Sequence, residues 1–221
     1  MKKRQLILNE YKTAEDGLWT LSACKITKAP QLQNFVEVPG RFAPLDFSTT
    51  LTEGQPYYSN ALLEAILESS EGTREERRDR ILHLTTILDG ETARIVHPDY
   101  PGRYMIGRVQ VTPDFNSLAY CVVALSAVLE PWLYNDRATE VSAVLTSTEQ
   151  TITLTNSGKL AVCPTLEVTG SATLVFGQYT KTLSAGAYQL PELFLTPGAH
   201  SIKCRGSGSV TFTYREAVLA G

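Results

Sequence analysis

Apolar and polar residues alternate in short runs along most of the chain, and glycine, proline or asparagine separates one run from the next. The alternation is clearest toward the C terminus, where Thr151, Thr153 and Thr155 interleave with Ile152 and Leu154. Threonine and aliphatic residues at a period of two are typical of strands with one buried face. Turn residues recur closely enough there to predict an antiparallel β-sandwich of about seven or eight strands.

One internal segment has the helical period instead. Thr73 followed by Glu76 is a capping box, which satisfies backbone donors at a helix start, and Asp89-Gly90 is a common helix end. The pattern therefore predicts a helix from Thr73 to Leu88. Its predicted buried stripe consists of Ile81, Leu82, Leu84, Thr85 and Leu88.

Alternating runs on both sides of this helix predict further strands. The predicted strands are Arg4–Leu8, Gly17–Ile26, Phe35–Val38, Glu91–Val96, Arg103–Val111 and Ala119–Leu129. The fourth and fifth of these form a predicted hairpin across the turn at residues 97–102. The fold class expected from the pattern is mainly β with one main helix.

The distribution of charge divides the chain into two parts. Residues 1–137 carry 15 Lys and Arg against 18 Asp and Glu, whereas residues 138–221 carry 5 of each. This shift, together with the polar stretch Tyr134–Thr139, predicts two domains at 1–137 and 138–221. A chain of 221 residues is long enough for each domain to bury its own core.

Charge and hydropathy also exclude several classes of partner. The net charge of −3 argues against nucleic acid, whose phosphates require a concentrated basic surface. No apolar run approaches the roughly 20 residues of a membrane-spanning helix. The apolar residues Leu6–Leu8 after the basic start are too few for a secretory signal, so we expect synthesis in a cytoplasm.

The four cysteines do not predict a metal site or a cofactor site. Cys24, Cys121, Cys163 and Cys204 lie far apart in the sequence and have no histidine close by. Zinc sites usually draw their ligands in close pairs, and disulfides are rare in intracellular proteins. We therefore expect four buried free thiols that pack as small apolar groups.

The three histidines do not predict an active site either. His83 falls on the predicted helix, His97 in an exposed turn, and His200 in the turn after Gly198, none of them beside a nucleophile motif. The segment Gly206–Ser209 is rich in glycine, but it leads into a strand and lacks the helix N terminus that holds phosphate. The protein is not expected to be an enzyme.

The C-terminal part contains an ordered series of motifs. They are a turn at Asn156–Gly158, a strand at Pro164–Gly170, a turn at Leu195–Gly198 and a final strand at Val210–Arg215. In this order they resemble the C-terminal, galectin-like domain of the distal tail proteins of long-tailed phages. The resemblance implies a galectin-like all-β sandwich for residues 138–221.

The N-terminal part resembles the ring-forming domain of the same family. It carries Pro39-Gly40-Arg41, Leu45-Asp46, Tyr57-Tyr58, the capped helix, and Tyr104-Met105-Ile106-Gly107-Arg108-Val109. Where the family has a glycine after the Pro-Gly-Arg turn, this chain has Ala43-Pro44, so we expect that loop to turn differently. The resemblance implies an α+β, ring-forming β-sandwich domain for residues 1–137.

The resemblance also bears on Ala61–Glu68, which the pattern alone leaves ambiguous. Its sequence, Ala-Leu-Leu-Glu-Ala-Ile-Leu-Glu, has high intrinsic helix propensity. The family has a strand at this place, leading into the helix. We predict a strand, because tertiary context often overrides propensity.

The function implied by the resemblance is structural. Distal tail proteins form a ring at the tail tip, between the tail tube and the host-recognition apparatus. The implied partners are other copies of the chain in a homo-hexamer, the tail tube protein and tail-tip proteins, and the implied location is the virion tail tip of a phage or prophage. No cofactor is implied.

Three charged residues in the family-like motifs are candidate subunit contacts. Arg41, Asp46 and Arg108 could fix the register between subunits through charge-assisted hydrogen bonds, or could brace their own loops. The hairpin Glu91–Val111 is expected to offer exposed strand edges for assembly. The mixed-charge run Thr73–Arg80 is either a solvated helix face, with pairs such as Glu76–Arg80, or a further contact surface.

The alternative function is that of a host-glycan adhesion module. Galectins stack a sugar on tryptophan, but the two tryptophans here, Trp19 and Trp132, lie outside the galectin-like part. Tyr179 or Tyr188 would have to provide the platform instead. A more ordinary role for these rings is to fill the sandwich core or cover its edge, as is expected also of Phe176, Phe194, Phe212 and Tyr214, so sugar is not an expected partner.

Residues 138–221, expressed alone, should fold as an all-β unit, because the charge shift and the dense turn signals set them apart. We expect circular dichroism of this fragment to show β-structure with a cooperative thermal transition. A disordered or mainly helical spectrum would contradict both the domain boundary and the sandwich.

Overall fold

The alternating runs form strands, which the structure, a computed structural model, describes for residues 4–50, 56–114 and 119–221. The chain divides into two units. The first consists of Met1–Leu133 and Leu219–Gly221, and the second of Tyr134–Val218. The division lies a few residues before the predicted boundary, and the last three residues belong to the first unit. Two strands contain these crossing points, Trp132–Asn135 and Ala217–Leu219.

The first unit combines nine described strands with one described helix. They are β1 (Ile7–Leu8), β2 (Tyr11–Lys12), β3 (Thr20–Thr27), β4 (Phe35–Val36), β5 (Leu45–Asp46), β6 (Ala61–Ser69), α1 (Arg74–Leu88), β7 (Thr92–Val96), β8 (Arg103–Asp114) and β9 (Cys121–Leu129). Seven of the strands pair in the order β2-β1-β7-β8-β9-β6-β3, and the neighbours are antiparallel. β4 and β5 form a separate two-stranded ribbon. The mainly β fold with one main helix is confirmed.

The predicted free edge of the hairpin at Glu91–Val111 is wrong. β7 pairs with β1 on one side and β8 on the other, and β8 pairs in turn with β9. Both hairpin strands therefore lie inside the sheet, with their backbone groups already paired. Among the described strands, β2 and β3 stand at the ends of the pairing order.

The ambiguous segment Ala61–Glu68 is a strand, as predicted. In β6 every second side chain is buried, namely Ala61, Leu63, Ala65, Leu67 and Ser69. β9 and β3 hydrogen-bond to its two edges, so the strand conformation satisfies its backbone and places its apolar side chains on one face. Tertiary pairing outweighs the helix propensity of this sequence.

The helix begins as predicted. The Oγ1 atom of Thr73 accepts a hydrogen bond from the Glu76 amide at 3.3 Å, and the Glu76 carboxylate accepts one from the Thr73 amide at 2.7 Å. Buried Ile81, Leu84 and Leu88 face the core, beside strands β8 and β9. The prediction that Leu82 belongs to the buried stripe is wrong, because this side chain is 52% exposed and lies outside the row that faces the core.

The predicted pairing of Glu76 with Arg80 is also not formed. The Glu76 carboxylate caps the helix, while the Arg80 guanidinium donates to Ser69 Oγ at 2.6 Å and to the Glu71 carbonyl. The charged start of the helix thus ties the helix to the end of β6. Arg77 is itself buried, and its guanidinium donates to the carbonyl of Gly72.

The second unit is built on two long strands. The strands that contain the crossing points are β10 (Trp132–Asn135) and β17 (Ala217–Leu219). The others are β11 (Thr139–Leu145), β12 (Gln150–Asn156), β13 (Thr165–Phe176), β14 (Tyr179–Leu183), β15 (Gly186–Gln189) and β16 (Gly198–Tyr214). The first half of β13 pairs with the second half of β16 and with β15; the second half of β13 pairs with the first half of β16 and with β14. β11 and β12 pair with opposite halves of β16.

Both halves of these long strands contribute side chains to one core. Leu166 and Phe212 from one half, and Leu174 and Cys204 from the other, are buried in the same apolar cluster. Between the halves, the paired residues Gly170 and Gly208 are exposed. The pairing pattern and the single core indicate that the sheet bends at the glycines, which brings its two halves face to face.

The glycines at the bend are required by both space and backbone conformation. Gly208 has φ +86°, and a Cβ there would overlap the carbonyl oxygen of Thr169 on the neighbouring strand. Gly206 has φ +153°, and its Cβ would overlap the carbonyl oxygen of Ser171. The sequence suggested that Gly206–Ser209 leads into a strand; in the structure this segment lies within the strand β16.

A buried asparagine holds the predicted Asn-x-Gly turn. Asn156, only 1% exposed, accepts from the Gly158 amide at 2.9 Å and donates to the carbonyls of Leu160 and Leu195, each at 2.8 Å. These bonds satisfy both ends of a side-chain amide that would otherwise be costly to bury. One residue thus connects the turn to two other segments of the second unit.

We expect Gly208→Ala to lower the free energy of unfolding by roughly 2–5 kcal/mol, because it adds left-handed strain to overlap with a backbone carbonyl. Gly177→Ala is the matched control: Gly177 has φ +55°, but a Cβ there meets nothing within 4 Å. The control should cost only the strain, about 1–2 kcal/mol. Denaturant unfolding followed by circular dichroism measures both, and equal losses would contradict the close approach of β13 and β16.

Candidate functional site

The ribbon of β4 and β5 has a defined base and a tight turn. At its base, Leu32 donates to the carbonyl of Tyr57 and Ser59 donates to that of Pro30, both at 2.9 Å. At its turn, Gly40 has φ +85° and the Arg41 amide donates to the carbonyl of Val38 at 3.1 Å. A proline followed by a glycine of positive φ is the pattern of a type II turn. The Pro-Gly-Arg motif therefore serves to reverse the chain.

The ribbon exposes large apolar side chains. Those at least 37% exposed are Leu32, Phe35, Val36, Val38, Phe42, Phe47 and Tyr57, and Phe42 is fully exposed. Single exposed apolar residues are common on protein surfaces, but seven in one short segment indicate an interaction surface. We call these seven residues the apolar ribbon. The sequence of this segment has no regular period from which the exposure of these side chains could have been predicted.

Two of the three candidate contact residues lie on this ribbon. The Arg41 guanidinium has no hydrogen-bond or ion-pair partner among the residues that the structure describes. Asp46 accepts a hydrogen bond from the Ser48 amide at 2.8 Å, and hydrogen bonds from Ser48 hold the pKa of this carboxyl below its usual value. Asp46 is thus ionised and braces its own loop, whereas Arg41 is available.

The third candidate, Arg108, lies elsewhere in the first unit. It is on β8, and its guanidinium donates to the carbonyl of Gly90 at 2.9 Å, just after the helix end. The neighbouring Asp89 accepts from the Val111 amide at 2.9 Å. These two bonds fix the helix end against β8. A guanidinium has five donors, so this contact leaves others for a partner.

The second unit contains a cleft of about 250 Å³ lined partly by aromatic rings. Tyr179 and Phe194 line it and are 39% and 55% exposed. Glu192, His200 and Ser201 supply polar groups in the same lining. We call this the aromatic cleft.

The two tyrosines proposed as sugar platforms differ. Tyr179 lines the aromatic cleft, whereas Tyr188 packs against the core and its hydroxyl donates to the Ser184 carbonyl at 3.1 Å. Phe194 was expected to cover the core or its edge, yet it is exposed between the buried residues Leu193 and Leu195. The alternation Leu-Phe-Leu was the signal that could have revealed this.

The histidines lie in three different environments. His83 is exposed on α1, with its ring centroid 6.2 Å from that of Tyr11. His200 is in the strand β16, which begins at Gly198, and not in a turn. The expectation that His97 is exposed is wrong, since it is only 4% exposed. Its Nδ1 accepts from the Asp99 amide at 3.2 Å, its ring packs near Tyr100, and its buried Nε2 has no partner among the described residues.

The cysteines are free, as expected, but only two are fully buried. Cys121 and Cys204 are buried, while Cys24 and Cys163 are half-buried. Burial raises the pKa of each thiol, that of Cys24 to about 11. Thiols in this state are protonated and poor metal ligands. Within the described ranges, no three His, Cys, Asp or Glu side chains come close enough to hold a metal ion.

Comparisons with known proteins found similarity in structure only. No protein-family model matches the chain, and no curated protein matches it.

In the part of the chain that the structure describes, no helix has the length and apolar character needed to span a membrane.

Among solved structures, the chain matches a phage tail-hub protein in fold. The structure is the crystal structure of the Dit protein of phage SPP1, described as a paradigm of the hub adsorption apparatus in phages that infect Gram-positive bacteria. The TM-score is 0.69 at 14% identity, over 97% of this chain and 99% of that chain. The chain therefore has a Dit-like fold along nearly its whole length, which confirms in structure the resemblance found in the sequence motifs.

We expect the buried His97 to make stability fall with acidification. Burial lowers the pKa of His97 in the folded state below its value in the unfolded state. Below about pH 6.5 the unfolded state therefore binds more protons than the folded state, and the free energy of unfolding falls. The contribution is constant above that pH and is lost as the pH falls toward the folded-state pKa. Denaturant unfolding at a series of pH values should show this loss.

His97→Asn is the comparison variant, because the Asn side-chain oxygen can accept the same bond from the Asp99 amide without titrating. Its free energy of unfolding should depend less on pH than that of the wild type across the same range. Identical pH profiles would mean that His97 is not the group responsible.

Proposed function

We propose that this protein is a structural component of a phage or prophage tail, forming the distal tail ring that links the tail tube to the host-recognition apparatus. The observation that carries the proposal is the Dit-like fold, shared along nearly the full length of both chains. The sequence motifs support it independently, since they occur in the family order. In this role the protein is a scaffold and performs no catalysis.

In the proposed ring, the apolar ribbon contacts a second copy of the chain. Large side chains such as Phe35 and Phe42 are not covered by their own unit, and each would bury apolar surface against a neighbour. Copies that contact each other head to tail around a closed axis form a ring of fixed size. We propose six copies, from the family resemblance.

The three charged candidate residues are not equally suited to the proposed contact between copies. Arg41 follows the ribbon turn and has a free guanidinium, so it is the best suited to pair with a carboxylate of the neighbouring copy. Asp46, ionised on the same ribbon, is an acceptor of the right charge. Arg108 fixes the helix end and has a secondary role in the contact. The tail tube protein and tail-tip proteins are the proposed further partners, at the virion tail tip.

Replacing Phe35 and Phe42 together by Ser should shift the protein from the ring toward the monomer. Burial of each phenylalanine is worth about 1.5–3 kcal/mol, which is roughly tenfold or more in the association constant. Light scattering gives the mass, and negative-stain microscopy shows whether rings are present. Val144→Ser is the matched control, because Val144 is 73% exposed but lies on the second unit.

The ring proposal fails if the wild type is monomeric at high concentration or if the control dissociates the assembly as fully as the ribbon variant. A fragment comparison tests the division of labour separately. Residues 1–137 should self-associate while residues 138–221 stay monomeric. The opposite result would assign assembly to the second unit.

A further inference from the structure

We propose that the aromatic cleft of the second unit binds a neutral sugar ring, a pyranose without an acidic group. The inference goes beyond the scaffold function and does not depend on it. It rests on two aromatic rings held exposed in one cleft and on polar groups whose remaining bonding capacity suits sugar hydroxyls. The cleft lies entirely within the second unit.

Phe194 is held with its ring outside the core of the second unit. Leu193 and Leu195 on either side of it are buried, at 4% and 0% exposure. The Leu193 amide donates to the Leu190 carbonyl at 2.9 Å, and the Leu195 amide to the Val162 carbonyl at 2.8 Å. With both neighbours anchored, Phe194 cannot turn into the core without displacing them. Its exposed ring is therefore a fixed feature of the cleft.

Tyr179 gives the cleft a second ring. It is 39% exposed, and its centroid lies 5.8 Å from that of Phe176, which is almost completely buried. A ring supported from below by another ring retains its position and leaves one part open to a ligand. The C–H face of a pyranose is apolar and flat, so it can cover such rings while its hydroxyls point outward.

Glu192 supplies the principal hydrogen-bond acceptor. Its Oε1 accepts from Lys181 Nζ at 2.6 Å, and this contact with Lys181 lowers the pKa of the carboxyl. The group is therefore ionised at neutral pH, and its two oxygens have more lone pairs than the bonds from Lys181 and its own backbone amide use, so it can also accept hydroxyl protons. Hydrogen bonds to an ionised acceptor are stronger than neutral ones.

His200 adds a ring nitrogen to the lining. Its Nε2 lies 2.7 Å from the carbonyl oxygen of Thr196, which can only accept, so Nε2 carries the hydrogen. In the neutral ring, Nδ1 is then an acceptor. The lining contains the Glu192 carboxylate but not its partner Lys181, so the cleft favours a ligand rich in hydroxyl donors over one with its own carboxylate. The volume of about 250 Å³ suits a single ring better than a longer saccharide.

Saturation-transfer NMR on the full chain tests this, with D-glucose, D-galactose and N-acetyl-D-glucosamine as neutral probes and D-glucuronate as the acidic one. We expect transfer to the ring C–H protons of at least one neutral sugar and weaker transfer to glucuronate. Phe194→Ala should weaken binding by about tenfold, as expected for loss of a stacked ring. Phe194→Leu should weaken it similarly, because leucine keeps apolar bulk but has no ring face.

The controls are Val144→Ala, an exposed side chain of the same unit, and Tyr120→Ala, an exposed ring of the first unit; both should bind as the wild type does. Circular dichroism checks the fold of every variant. No transfer to any neutral sugar overturns the proposal, as does equal binding of glucuronate. Wild-type binding by Phe194→Leu overturns the stacking argument. Loss of ring assembly in the apolar-ribbon variant with sugar binding retained would separate this site from the scaffold function.

Discussion

Close contact between the backbones of β13 and β16 is the constraint on which the second unit depends. Two strands of 12 and 17 residues would otherwise continue as a flat sheet with one side open to water. Glycines at the middle of both strands remove the side chains that would prevent the bend. The inward rows on either side of the bend then enclose one core. Residues of β13, β14 and β16 also line the aromatic cleft.

The first unit follows a different principle. Its long sheet has β7, β8, β9 and β6 in interior positions, so most of its backbone groups are satisfied within the unit. The helix covers part of β8 and β9 and is tied at its start to Ser69 through Arg80. Among the described residues of this unit, large exposed apolar side chains are most numerous on and beside the β4–β5 ribbon. The two units thus present different chemistry: exposed apolar side chains on the first and a small cleft with aromatic and polar groups on the second.

Local patterns in the sequence predicted the elements well and their surroundings less well. The capping box at Thr73 and Glu76 is a local interaction, and the structure forms it as predicted. For Ala61–Glu68, which the pattern alone left ambiguous, the family motif correctly predicted a strand against the helix propensity of the sequence. By contrast, whether Leu82 is buried depends on which neighbour packs there, and no local pattern states that.

The errors have a common physical origin in long-range pairing. The hairpin at Glu91–Val111 was recognised, but the pairing of β7 with β1, some 85 residues earlier in the chain, was not, and that pairing removes its free edge. Gly206–Ser209 resembles a loop in sequence because glycine usually ends a strand. Here the glycines allow β16 to pass close to β13. The need for glycine at this place becomes evident only from the position of Thr169 on the partner strand. The family motifs named Arg41 and Asp46 as candidate contacts, but the sequence did not predict that large apolar side chains of the same ribbon are exposed.

The path of the chain makes the second unit an insertion within the first. On one side of the junction, the Asn135 amide donates to the Glu216 carbonyl at 2.9 Å; on the other, the Ala220 amide donates to the Pro131 carbonyl at 2.9 Å. Entry and exit are therefore adjacent in each unit, the arrangement in which domain insertion is best tolerated. Recombination at these two points could replace residues 134–218 with a different module while the first unit keeps its whole sheet. Such an exchange would change the surface of the second unit and leave the strand pairing of the first unit as it is.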